Sequence, residues 1–229
     1  MIKLVNLTKS FPLRNGGRHY VFKNLSFEFP ENCSIGLMGR NGAGKSTLMK
    51  LLSGSLLPDR GKIITNKKLS WPLGLAGAFQ HRLSARDNAR FVARVYGYKG
   101  KALEEKIKFV EDFAELGKFF DEPMNTYSAG MSARISFGLS MAFDFDYYLI
   151  DEAGAVGDPK FREKSSRIYK EKLSRSKVIM VSHNVAEIKQ WCDKIIFMQD
   201  GQATIYDDVD EGIAVYQGKI NANRFIKKV

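Results

Sequence analysis

Gly39-Arg40-Asn41-Gly42-Ala43-Gly44-Lys45-Ser46-Thr47 constrains what this chain can fold into more than any other stretch. It fits the pattern G-x-x-x-x-G-K-[ST], in which glycines let successive backbone N–H groups turn inward around an anion. Such a loop works between a buried strand and a helix whose N-terminus faces the same anion. Both neighbours are present. Ser34-Ile35-Gly36-Leu37-Met38 reads as a buried strand, and Thr47 to Leu52 has the apolar spacing of a helix packed on a sheet. Lys45 would reach the β- and γ-phosphates of a nucleotide, and the Ser46 hydroxyl would take one position on Mg²⁺.

The rest of the chain alternates in the same way. Residues 2–7 and 19–29 read as strands joined by a loop at 13–18, followed after the first helix by a turn at Pro58-Asp59-Arg60-Gly61 and a strand at 62–65. Helical periodicity dominates 86–96, 101–117 and 129–144, as in the apolar series Leu103, Ile107, Val110, Phe113 and Ala114. Strand and helix then alternate again: strands at 147–150, 178–181 and 194–198, helices at 160–174 and 184–191. An Asp200-Gly201 hairpin turn leads into a return strand at 202–206. The expected architecture is α/β: a phosphate-loop core interrupted by a helical insert.

Composition narrows the class. The 229 residues suit one domain, and 44% hydrophobic content is that of an ordinary soluble protein. No apolar run approaches the roughly 20 residues needed to span a bilayer. Residues 1–7 lack the apolar stretch of a secretory signal, so a cytosolic location is expected. Cys33 and Cys192 have no metal-ligand spacing and read as reduced core thiols. The formal charge of +11 favours anionic surfaces. Without a dense Lys/Arg run or aromatic–basic interleaving, nucleic acid is not the expected partner.

A phosphate loop alone holds a nucleotide without hydrolysing it. Tyr147-Tyr148-Leu149-Ile150-Asp151-Glu152 supplies two carboxylates at the C-terminal end of a buried strand, where ligands sit in open α/β sheets. Asp151 would hold the Mg²⁺ shell, directly or through water. Glu152 would orient and deprotonate the attacking water.

Further motifs carry a resemblance. Tyr127-Ser128-Ala129-Gly130-Met131 opens a helix shortly before the Asp-Glu strand, and Val181-Ser182-His183-Asn184 follows a later apolar strand. With these the chain resembles the ATP-binding-cassette (ABC) transporter ATPases, in the family's motif order and over nearly its whole length. The likeness implies an N-terminal antiparallel β-subdomain and an inserted α-helical subdomain on the phosphate-loop core. It places core at 1–80 and 145–220, helical subdomain at about 84–144 and a basic tail at 221–229, all within one nucleotide-binding domain.

By the same resemblance, residues 127–131 look like the family's signature motif, usually Leu-Ser-Gly-Gly-Gln, with Ala129 for glycine and Met131 for glutamine. His183 looks like the switch histidine and Gln80 like the glutamine that contacts Mg²⁺. Ala155-Val156-Gly157-Asp158 looks like the loop ending in aspartate, and Ala153-Gly154 stands where many relatives have Pro-Thr. An aromatic stacks on adenine in the family; Phe11 is the first candidate and Tyr20 its rival. The likeness implies a homodimer in which Ser128, Ala129, Gly130, Met131 and Asp158 of one copy meet the ATP held by Lys45 of the other.

A closer likeness runs to the ATP-binding subunits of bacterial capsular-polysaccharide exporters of the group 2, polysialic-acid type. Trp71 to Gln80, Phe113 to Phe120 and Gly138 to Tyr148 carry it. It implies a separate integral-membrane permease, other capsule export components and a lipid-linked polysaccharide cargo that this subunit does not itself touch. The expected location is the cytoplasmic face of the bacterial inner membrane. Exporters of O-antigen or teichoic acid, and soluble ABC ATPases acting on ribosomes or nucleic acid, are the alternatives.

Overall fold

The computed structural model describes residues 1–72, 79–151 and 159–218. Compact packing divides the chain into two units. The first holds residues 1–72, 145–152 and 176–229; the second holds 73–144 and 153–175.

Two sheets build the first unit. β1 (Ile2–Pro12) and β2 (Arg18–Glu28) form an antiparallel hairpin, and β4 (Arg60–Thr65) pairs with the other edge of β1. Ile2, Leu4 and Leu7 of β1 are buried and shift faces between Leu4 and Leu7, where Asn6 adopts φ 48° in a ladder irregularity. The second sheet runs in the order β5 (Tyr147–Asp151), β6 (Lys177–Val181), β3 (Ile35–Met38), β7 (Lys194–Gln199), β8 (Gln202–Tyr206). The first four are parallel; β8 returns antiparallel through Asp200 and Gly201, both at positive φ as a tight primed turn demands. Covered on both faces, the central strands are continuous apolar runs rather than alternating ones. Leu4, Leu7 and Phe22 share a core with Ile35, Leu37, Leu149, Ile179, Ile196 and α1 (Lys45–Leu52).

In the second unit α2 (Ala85–Val95), α3 (Gly100–Ala114), α4 (Ala129–Ala142) and α5 (Pro159–Arg175) pack around aromatic side chains. The Phe113 ring stacks 5.5 Å from Phe137 and meets Phe161 edge-on at 5.1 Å. Arg86 of α2 pairs with Glu111 and Asp121, fixing α2 against α3 and the 3-10 turn Gly117–Asp121.

Several elements depart from the periodic reading. The helix expected to reach residue 117 stops at Ala114, because Glu115 turns left-handed at φ 54° and ends the ladder. Similarly, α4 ends at Ala142, where Phe143 becomes extended and buries its ring beneath Tyr96 and Tyr98. β1 runs on to Pro12, beyond the expected strand at 2–7. α6 spans Val185–Trp191, and a further helix, α7 (Val209–Tyr216), escaped the reading. Asp208 caps α7 by accepting from the Glu211 N–H at 2.8 Å. The basic tail at 221–229 lies outside the described residues.

Gly212 lets α7 lie directly on β7. A Cβ there would stand 2.5 Å from the Ile195 Cβ. We therefore expect Gly212→Ala to destabilise the chain by about 1–3 kcal/mol through overpacking, measured as a lowered urea midpoint. An unchanged midpoint would mean that α7 does not contribute to the fold as its packing requires.

Candidate functional site

Parallel pairing sets the site. The C-terminal ends of β3, β5 and β6 point the same way and lie on adjacent strands, so the phosphate loop, Asp151 and His183 all leave the sheet at one edge. The loop from Gly39 to Gly44 ends in Gly44, which caps α1 at φ 95°. A Cβ at that position would sit 2.6 Å from Val21 Cγ1 and 2.8 Å from Phe22 Cζ, so the N-terminal sheet presses directly on the loop. Only glycine allows both the left-handed turn and the close approach.

Lys45 is buried and turns back over the loop, its ammonium donating to the Gly39 carbonyl at 2.8 Å and the Arg40 carbonyl at 3.2 Å. Those bonds hold a positive charge inside a loop of backbone N–H groups at a helix N-terminus, an arrangement made for polyphosphate. Arg40, Asn41 and Gly42 are exposed at the loop tip, with Ala43 and Thr47 partly covered. At the second residue of α1, the exposed Ser46 hydroxyl donates to Asp151 Oδ1 at 3.3 Å. A hydroxyl and a carboxylate joined this way, at the mouth of a phosphate cradle, suit a hard divalent cation that keeps several waters and takes few protein oxygens.

His183 follows β6 and is exposed, its Nδ1 3.2 Å from the Tyr216 hydroxyl of α7. Asn184 caps α6 by accepting from the Ala186 N–H at 3.0 Å, and Ser182 bonds Glu187 at 2.8 Å. These bonds fix the turn that carries the imidazole.

Phe11 and Tyr20 are both exposed near the end of the β1–β2 hairpin. Their register separates them: Ser10 pairs with Tyr20 and Phe11 with His19, so consecutive rungs put the two rings on opposite faces. Lys9 reaches over one of them, its Nζ 5.6 Å from the Phe11 centroid. Asp59, in the turn before β4, ties this end down. It accepts from the Ser10 N–H at 2.8 Å and the Ser10 hydroxyl at 2.6 Å, and pairs with Lys9 and Arg18. The Ser10 hydroxyl, followed by Lys9, holds the Asp59 carboxyl well below the carboxylate range. A depressed value means that the tether is intact above the ordinary 3.8 and lost only on acidification below it.

In the second unit, Ser128 caps α4, its side chain accepting from the Met131 N–H at 3.2 Å. Capping uses the oxygen as acceptor and leaves the hydroxyl proton to serve as donor. Ala129 and Gly130 form the first turn behind it, an anion-favouring helix start. Gln80 has its backbone gripped by Asn88 of α2, which accepts from the Gln80 N–H at 2.9 Å and donates to its carbonyl at 3.1 Å. Glu152 and Asp158 lie outside the described residues. Asn88 and Tyr216 were absent from the sequence reading, and Asp59 figured there only as a turn residue. Only Asp59 had a signal, its Pro-Asp-Arg-Gly turn, and nothing local shows what a turn carboxylate will face.

A strand–loop–helix phosphate cradle backed by a carboxylate-ended parallel strand defines the phosphate-loop nucleotide-binding class. The particular family is equally plain. A profile described as "ABC transporter" matches residues 22–155, and the chain belongs to that family as an ABC ATPase domain. Over 218 residues it is 53% identical to the polysialic acid transport ATP-binding protein KpsT of Escherichia coli, covering 95% of this chain and 96% of that one. It is 40% identical to the capsule polysaccharide export ATP-binding protein CtrD of Neisseria meningitidis, over 94% of this chain and 98% of the other. In fold it is similar to the ATP-binding cassette MJ0796 in its dimeric post-hydrolysis state with ADP and Pi. That likeness has a TM-score of 0.69 at 21% identity, over 90% and 98% of the two chains.

If the hairpin end carries the base-stacking ring, Asp59→Ala should raise the KM for ATP about three- to tenfold, the worth of one or two hydrogen bonds, with kcat held. Binding of inorganic tripolyphosphate should not change. Equal loss for both ligands would move the effect from the hairpin to the phosphate loop.

Proposed function

We propose that this chain is the ATP-hydrolysing subunit of an exporter that moves a lipid-linked capsular polysaccharide across the bacterial inner membrane through a separate permease. The carrying observation is 53% identity, over nearly the full length of both chains, to a polysialic acid transport ATP-binding protein. No helix among the described residues is long and apolar enough to cross a membrane, which accords with a separate membrane partner.

Two copies would act together at the cytoplasmic face. The N–H groups of residues 39–47 and the Lys45 ammonium bind the β- and γ-phosphates. To do so Lys45 exchanges its carbonyl partners Gly39 and Arg40 for phosphate oxygens. Ser46, Asp151 and Gln80 would hold Mg²⁺, which would supply positive charge beside the phosphates. Phe11 or Tyr20 stacks on the base. Glu152 takes the proton of the attacking water, and His183 donates a hydrogen bond to the γ-phosphate. Ser128, Ala129, Gly130, Met131 and Asp158 of the opposing copy would meet that ATP, with the α4 N-terminus over the phosphate. Hydrolysis and phosphate release then remove the charge that joins the copies.

Glu152→Gln keeps size and hydrogen bonding but removes the base, so turnover should fall by about 10²- to 10⁴-fold while ATP affinity stays within a few-fold. In a producing strain the same change should stop polysaccharide reaching the surface and leave it lipid-linked inside. Unaltered surface polysaccharide would refute the export role.

Sharing between copies has its own test. Ser128→Arg and Lys45→Ala chains should each be inactive alone. Mixed, they rebuild one intact site of two, so hydrolysis should return to about half the wild-type rate per heterodimer, as counting intact sites requires. An assay of the mixture showing no recovery would count against a shared site.

A further inference from the structure

We propose that Tyr216 is the positioning residue for His183: its hydroxyl donates to Nδ1 and so keeps the imidazole proton on Nε2. The observation is the 3.2 Å contact between His183 Nδ1 and the Tyr216 hydroxyl, which joins the β6–α6 turn to the last residue of α7. The inference rests on the reading above, in which His183 donates to the γ-phosphate.

Imidazole chemistry makes the direction of this bond matter. A neutral ring carries one donor and one acceptor nitrogen, and a partner on one nitrogen decides the role of the other. With the phenol donating to Nδ1, Nε2 bears the proton and can donate to a phosphate oxygen. Reversed, Nε2 would present a lone pair to an anion, which repels it. A bond to Nδ1 therefore selects between a histidine that can meet phosphate and one that cannot.

The scaffold around Tyr216 suits such a task. Its helix is capped by Asp208, and its middle is pressed on β7 through Gly212 and Ile195. Ile213 and Val215 are buried beside it. Lys189 of α6 pairs with Asp210 of α7, tying the two helices to each other. On the other side, Ser182 and Asn184 brace the turn bearing His183. Ile195 also packs on Gly36 of β3, the strand that feeds the phosphate loop: a Cβ at Gly36 would stand 2.8 Å from Ile195 Cδ1. One side chain thus supports both the strand entering the loop and the helix holding the histidine's partner.

The test has a spectroscopic arm and a kinetic arm. The chain has three histidines, so the ¹⁵N signals of His183 can be identified as those lost in His183→Ala. In the nucleotide-free protein, long-range ¹H–¹⁵N spectra should show His183 with its proton on Nε2. Tyr216→Phe, which removes only the hydroxyl, should give a mixture of tautomers without lowering the melting temperature. A proton on Nδ1 in the wild type, or the same single tautomer in Tyr216→Phe, overturns the proposal.

In the kinetic arm, Tyr216→Phe should lower kcat about three- to tenfold, the worth of one hydrogen bond, with the KM for ATP unchanged. It should cause no further loss in a His183→Ala background, because a residue acting through another has nothing left to act on. Additive losses would overturn the proposal. A shifted tautomer with unaltered turnover would instead strike the phosphate contact assigned to His183 and leave its tether to Tyr216 standing.

Discussion

Parallel hydrogen bonding among β5, β6 and β3 is the constraint on which the first unit depends. Parallel strands share a direction, so whatever follows each one emerges at the same edge. A phosphate loop follows β3, a carboxylate ends β5 and a histidine follows β6. Reversing any one of these strands would carry its group to the far side of the sheet. Because both faces are covered, the strands must be apolar throughout, and this leaves their ends as the places where polar chemistry can stand.

Within that frame the phosphate loop is a charge problem solved in advance. A buried ammonium held against two loop carbonyls has hydrogen-bond partners before any ligand arrives. In the function proposed above, a polyphosphate would take over those partners of Lys45. The N-terminal sheet holds the loop from one side through Gly44, and Asp59 fastens the hairpin end of that sheet. The hairpin end and the phosphate loop are thereby joined through a single layer of packing.

How much was legible varies with the range of the interaction. The Asp200-Gly201 turn, the buried runs at β3, β5 and β6 and the Ser128 start of α4 could be read because each depends on neighbours a few residues away. Helix ends were read less well. Periodicity runs smoothly past Ala114 into Leu116, yet a left-handed Glu115 stops α3, a backbone state that apolar spacing does not report. α7 was missed because it is short and its burial depends on Gly212 fitting against Ile195 in a distant strand. Of the site itself, the loop residues and the Asp151 carboxylate were visible as patterns. The supporting residues Asn88, Asp59 and Tyr216 were not, since an amide, a turn carboxylate and a helix-end phenol announce nothing alone.

By itself the sequence determined the kind of chain this is: a glycine-spaced phosphate loop between strand and helix, followed in order by the motifs of an ABC ATPase. Those are local statements, set by backbone freedom, side-chain volume and short-range periodicity. Tertiary structure alone decided that Ser46 meets Asp151 across 105 residues and His183 meets Tyr216 across 33. It also decided that Asp59 holds Ser10 across 49. Such pairings arise when sheet order and helix docking bring separated segments within a hydrogen bond's length, and no spacing along the chain encodes that distance.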